Sequence, residues 1–103
     1  MIEKELIASL KQGEASAFKV LVENYQDRVY YSVLNILHNA AEAEDTAQET
    51  FIQVYESISG FKEESSLATW IYRIAIRKAL EKIRKHKNRQ RLCLLYTSDA
   101  ADD

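Results

Sequence analysis

Apolar residues recur along this chain at the three-and-four spacing that gathers them on one side of a helix, and they do so in four successive runs. Leu6, Ile7 and Leu10 make the first, a short helix over Glu3 to Lys11 that Gly13 ends. Phe18, Leu21, Val22, Tyr25, Val29, Val33, Ile36 and Leu37 hold the spacing for several turns, which predicts a second helix from about Glu14 to Leu37, stopped at His38 and Asn39. The third runs from about Ala41 to Ser59. Glu42, Glu44 and Asp45 stand in its first turns, where carboxylates complement the helix dipole, and Gly60 follows as a C-terminal cap. The polar stretch from Lys62 to Ser66 reads as a loop, with Ser66 as N-cap of a fourth helix reaching roughly Arg89.

Helical periodicity also divides the faces of the last two helices. On the third, Ala43, Ala47, Phe51, Val54 and Ile58 share the core side, and Asp45, Gln48, Glu49 and Ile52 fall opposite. An isoleucine ringed by hydrogen-bond acceptors is a small apolar patch suited to docking. A solvated acidic face with one stray aliphatic fits the same spacing, and periodicity does not separate the two. On the fourth, Ile71, Tyr72, Ala75, Ile76, Ala79, Leu80 and Ile83 form the expected buried stripe. Arg73, Arg77, Lys78, Arg84 and Lys85 project from the other side, where Trp70 and Ile74 also lie near the start. Cations at helical spacing match a phosphate backbone, and an exposed aromatic beside them stacks on unpaired bases. The plainer alternatives are a solvated helix end and a tryptophan tucked beneath its neighbours. The core is expected to contain Leu21, Val22, Tyr25, Val29, Ala47, Phe51, Val54, Ile71, Ala75 and Ile83.

Composition narrows the picture. With 103 residues the chain supports one buried core, and with no proline and 2 glycines it has almost nothing to interrupt helices. The expected class is all-α: a compact bundle of three main helices plus the short N-terminal one. Cys93 is the single cysteine, so neither an intrachain disulfide nor a cysteine zinc site is available, and no apolar run matches a signal peptide or membrane span. The cytoplasm is the expected compartment. Charge is strongly segregated. Residues 1–65 carry 5 basic and 12 acidic side chains, a net of −7, whereas 66–92 carry 9 basic and 1 acidic, a net of +8. Two partners are implied, one of them polyanionic. From about Leu92 the pattern changes. Residues 93–103 continue no helical period and resemble translated read-through, a natural disordered tail being the alternative, so the folded domain is taken as 1–92. No catalytic constellation is evident: His38 and His86 stand apart, no glycine-rich phosphate loop occurs, and Glu44, Asp45 and Glu49 have no histidine at ligand spacing in their helix. Neither a cofactor nor a metal is expected.

Three segments in order carry a family resemblance. The run from Ala43 to Tyr55, then Gly60-Phe61, then Thr69-Trp70-Ile71-Tyr72-Arg73-Ile74-Ala75, is similar to region two of bacterial extracytoplasmic-function (ECF) sigma factors of the sigma-70 family. Phe18 to Tyr31 resembles that family's opening helix, and the likeness covers roughly residues 5 to 91. It implies a transcription initiation factor domain in which Asp45, Gln48 and Glu49, with Ile52 on the same face, dock on the clamp helices of the beta-prime subunit of RNA polymerase core. It also implies that the loop from Gly60 to Ser66 and the start of the fourth helix capture the non-template single strand of the minus-ten promoter element and help to melt it. Phe61, Ser65 and Ser66 would enclose a flipped base there, with Trp70 beside them at the start of the fourth helix and Arg73, Arg77 and Lys78 on phosphates. An anti-sigma factor is a further partner of such proteins. Two departures stand out. Arg77 replaces a common asparagine, and no second domain with a helix-turn-helix for the minus-thirty-five element follows, so the chain is expected to bind polymerase without selecting promoters alone. A helical adaptor that binds only protein through its acidic face is the alternative from a different class.

Overall fold

The structure, a computed structural model, describes residues 2–101, with side chains as far as residue 95. Helices α1 (Glu3–Lys11), α2 (Ala15–Leu37), α3 (Ala40–Ser57) and α4 (Leu67–Ala101) follow one another, with a 3-10 turn at Ile58–Gly60 before the last. Among the described residues there is no strand, and none of these helices is long and apolar enough to cross a membrane. The all-α expectation therefore holds. Helices α2, α3 and α4 pack pairwise as a three-helix bundle, and α1 lies against α2 and the 3-10 turn.

The joint between α2 and α3 takes only two residues because each performs a different capping task. His38 adopts the left-handed conformation at φ 53° and donates its N–H to the Leu34 carbonyl at 2.8 Å, closing α2. Asn39 returns to extended backbone, and its side-chain oxygen accepts the Glu42 N–H at 2.9 Å, opening α3. Such a cap stabilises a helix by about 1 kcal/mol. At the other end, α3 stops at Ser57, short of the expected Ser59, and Gly60 closes the 3-10 turn instead of capping the helix. Tightening satisfies a terminal carbonyl, since the Phe61 N–H donates to the Ile58 carbonyl at 3.1 Å, and it carries Ile58 into the core. Lys11 of α1 then donates its ammonium to the Phe61 carbonyl at 2.8 Å, fixing the start of the following loop.

The core contains Leu6, Ile7 and Leu10 of α1, Leu21, Val29 and Val33 of α2, and all five apolar residues expected on the inner side of α3. Val22, Tyr25 and Ile83 are half-buried rather than buried. Helix α4 departs most from expectation. Its buried arc is Leu67, Ile71, Ile74, Ala75 and Ala79, so Ile74 is core, whereas Ile76 and Leu80 are 41% and 45% exposed. At about 100° per residue, Ile74 lies about 60° to one side of Ile71 and Leu80 lies opposite it. Apolar residues cover more of this helix than one stripe, and packing against both α2 and α3 selects which part is buried. The helix also continues past its expected end near Arg89 to Ala101. No proline or glycine follows Gly60, and leucine and alanine are strong helix formers, so propensity carries the backbone on although Leu92, Leu94 and Leu95 find no core.

Candidate functional site

Two surfaces emerge from this packing, one on α3 and one where the loop meets α4. On α3 the residues i, i+3, i+4 and i+7 from Asp45 fall on one exposed face. Asp45, Gln48 and Ile52 are exposed, Glu49 is half-buried, and Ile52 keeps 55% of its surface. The opposite side is more than the apolar stripe. Thr46 and Thr50 are fully buried, their hydroxyls donating to the carbonyls of Glu42 and Thr46 at 2.7 and 2.8 Å. Returning the hydroxyl to the preceding turn lets a polar residue sit in a core, which hydropathy alone does not reveal. Beside the face, an open cleft of about 390 Å³ separates α2 from α3, lined by Gln26, Asp27 and Tyr30 on one wall and by Glu44, Gln48 and Phe51 on the other.

The acidic face is tied to α4 by residues that periodicity did not single out. The Lys82 ammonium donates to Asp45 Oδ2 at 2.9 Å and stands 3.4 Å from Glu49 Oε2. One turn on, His86 Nε2 lies 2.6 Å from Glu42 Oε1. The hydrogen bond from Lys82, followed by its charge, holds the Asp45 carboxyl below the usual carboxylate range. Burial works to lower the Lys82 pKa, but the bond it donates to Asp45 and the nearby Glu49 charge outweigh it and leave the pKa raised. Both shifts favour the ionised forms. The pair persists above the ordinary aspartate pKa until the pH falls through the depressed value, and below the ordinary lysine pKa until the pH rises through the elevated one. Among the described residues, no three histidine, cysteine or acidic side chains are grouped to hold a metal ion.

At the loop, Gly60, Phe61, Lys62, Glu64, Ser65, Trp70 and Arg73 line an open pocket of about 200 Å³. Glu63 turns the chain in the left-handed region at φ 58°, and Ser66 then caps α4, accepting the Thr69 N–H at 3.1 Å. The Ser66 hydroxyl also donates to Thr69 Oγ1 at 2.9 Å. The pocket thus brings together four of the expected residues, Phe61, Ser65, Trp70 and Arg73, in unequal roles. Phe61 is only 5% exposed and stacks under Trp70 with ring centroids 4.8 Å apart, so within the pocket lining it backs the indole rather than offering a free face. Trp70 is half-buried, which joins the tucked and stacking alternatives. Ser66 lies outside the lining with its hydroxyl engaged at the cap. Arg73 and Arg77 are exposed on one side of α4. Lys78 does not accompany them: it is half-buried, because its position lies about 20° from Ile71 on the wheel, within the buried arc.

Comparison with known proteins agrees with this layout. A family model described as Sigma-70 region 2 matches residues 21–89, a span that holds both the α3 face and the loop pocket. The ECF RNA polymerase sigma factor SigW of Bacillus subtilis (strain 168) is 40% identical over 87 residues, which is 84% of this chain and 46% of that protein. The RNA polymerase sigma-H factor of Pseudomonas aeruginosa is 38% identical over 77 residues, 75% of this chain and 40% of that one. The chain therefore spans less than half the length of these curated relatives. Among solved structures, an NMR structure of an engineered region 2 of sigmaE in complex with GTAAAA superposes with a TM-score of 0.78 at 28% identity, covering 86% of this chain and 93% of that one. A helical bundle with these faces, matched from the second helix to the basic fourth by one family model, belongs to the sigma-70 region 2 family.

Proposed function

We propose that this chain is the polymerase-binding, promoter-melting part of an ECF sigma factor, acting in the cytoplasm by binding rather than by catalysis. Residues 1–92 are the working unit, and 93–103 have no part in it. Asp45, Gln48, Glu49 and Ile52 meet the clamp helices of the beta-prime subunit of RNA polymerase core, and the loop pocket takes a base of the minus-ten element from the non-template strand. An anti-sigma factor is the expected negative regulator. The observation that carries the reading is the pocket over the Phe61–Trp70 stack, in a chain that resembles a domain solved with GTAAAA.

The chemistry divides among the residues. Pulling a base from its stack is unfavourable by a few kcal/mol, and the pocket must offset that. Trp70 supplies a π-face held flat by Phe61, and stacking of a base on such a face contributes roughly 1–3 kcal/mol. The Ser65 hydroxyl, weakly engaged with the Ser66 carbonyl at 3.2 Å, is free to turn toward a base edge. Arg73 and Arg77 reach phosphates, with Lys78 contributing its charge from a half-buried position. The Ser66 hydroxyl acts indirectly by fixing the first turn of α4.

Fluorescence anisotropy with single-stranded GTAAAA and a scrambled oligonucleotide, across a salt series, tests this division. Arg77→Ala should weaken both complexes alike and flatten the slope of log affinity against log salt by ~0.7. Ser65→Ala and Trp70→Ala should instead reduce preference for the promoter sequence. A wild-type chain with no salt-dependent DNA affinity would favour a helical adaptor that binds protein alone.

A further inference from the structure

We infer that Lys82 attenuates docking at the α3 face by holding, within the chain, the two carboxylates that a cationic partner must engage; the inference rests on the docking reading above. Helix α4 turns from apolar to basic along the side that faces its neighbours. Ile71, Ala75 and Ala79 are buried there, and Lys82, about 20° from Ile71 on the wheel, emerges where that seam reaches the edge of α3. Its side chain is only 20% exposed, so the stem is packed and the ammonium is delivered to a fixed place. That place is between Asp45 Oδ2 and Glu49 Oε2, at 2.9 and 3.4 Å.

Two carboxylates four residues apart on a helix repel each other, and an ammonium between them removes the repulsion. The same ammonium changes what a partner meets. With Lys82 in contact, the trio carries one net negative charge instead of two, and an incoming guanidinium or ammonium must approach a cation already in place. Fixing the carboxylates could also favour binding by lowering the entropy lost on docking. That gain is small, because the Asp45 and Glu49 side chains remain 64% and 44% exposed and solvated, whereas a like charge at hydrogen-bond distance from the same acceptors acts directly on the partner. Both carboxylates also stay open to solvent, and so to a partner, on the side away from Lys82. Docking is therefore weakened, not blocked. The depressed Asp45 pKa and the raised Lys82 pKa agree with an interaction that holds in the free chain.

The test measures the affinity of the full chain for RNA polymerase core at low and high salt. Lys82→Met keeps the packed stem and removes the charge. It should bind about three- to tenfold more tightly at low salt, and the gain should shrink as salt screens the contact. Lys82→Gln, measured alongside, should gain in the same direction, and Lys82→Arg should stay within about twofold of the wild type. Asp45→Lys with Glu49→Lys reports separately on the face itself. If that pair abolishes binding while either neutral Lys82 variant fails to gain, the attenuation is overturned and the docking face stands. If the reversed pair binds like the wild type, the docking reading falls and takes the attenuation with it.

Discussion

Replacing Phe51 with alanine should destabilise the domain by about 3–5 kcal/mol and lower its melting temperature by roughly 15 °C or more. Phe51 is 6% exposed on the inner side of α3, where it packs with Val54 and Ala47 in the shared core. Truncation leaves a cavity that three helices cannot collapse without moving. Small domains are stabilised by only about 5–15 kcal/mol, so the loss is a large fraction of the whole. Thermal melting followed by circular dichroism measures it, and an unchanged midpoint would place Phe51 outside the core.

Reversing both Asp45 and Glu49 to lysine should weaken binding to RNA polymerase core by about a hundredfold or more, because two attractive contacts become like-charge ones at an interface. The substitution also clusters cations around Lys82, which now lacks its partners. Loss of an exposed contact is a small perturbation to folding, since Thr46, Thr50 and Phe51 on the other side of α3 are untouched. The neutral pair Asp45→Asn with Glu49→Gln separates the two effects. It creates no cation cluster and should still lose about tenfold. Wild-type binding by both variants, with helical content intact, would remove this face from the docking surface.

The helices were legible because the chain offers no competing signals. With no proline, and with both glycines outside the α-helices, three-and-four spacing runs unbroken through each helix, and Ser66 announced the start of α4 by side-chain chemistry alone. The apolar residues on the inner side of α3 were legible from spacing, but Thr46 and Thr50 beside them were not, because their burial depends on hydroxyl bonds to the preceding turn. Nor was the buried arc of helix α4. Ile74, Ile76 and Leu80 are equally apolar, and only contact with two neighbouring helices decides that the first is buried and the others are not. The same rotation hid Lys82, which the sequence places on neither the core side nor the basic side of α4 and which the fold aims at α3. The burial of Phe61 was not legible, because for a loop residue it depends on what folds over it: Trp70 above and the tie from Lys11 to its carbonyl beside it. The functional reading of the loop came from resemblance, since nothing in its spacing announces a base pocket.

The Phe61–Trp70 stack gives this domain its own optical gauge. Trp70 is the single tryptophan in the chain, and it lines the loop pocket. Indole emission therefore has one origin, and that origin is the surface assigned to the promoter base. A nucleobase stacking on the ring at the proposed site should quench it by contact, and a DNA strand brings no tryptophan of its own. Light from the unlabelled protein thus reports on DNA at this pocket without any added dye.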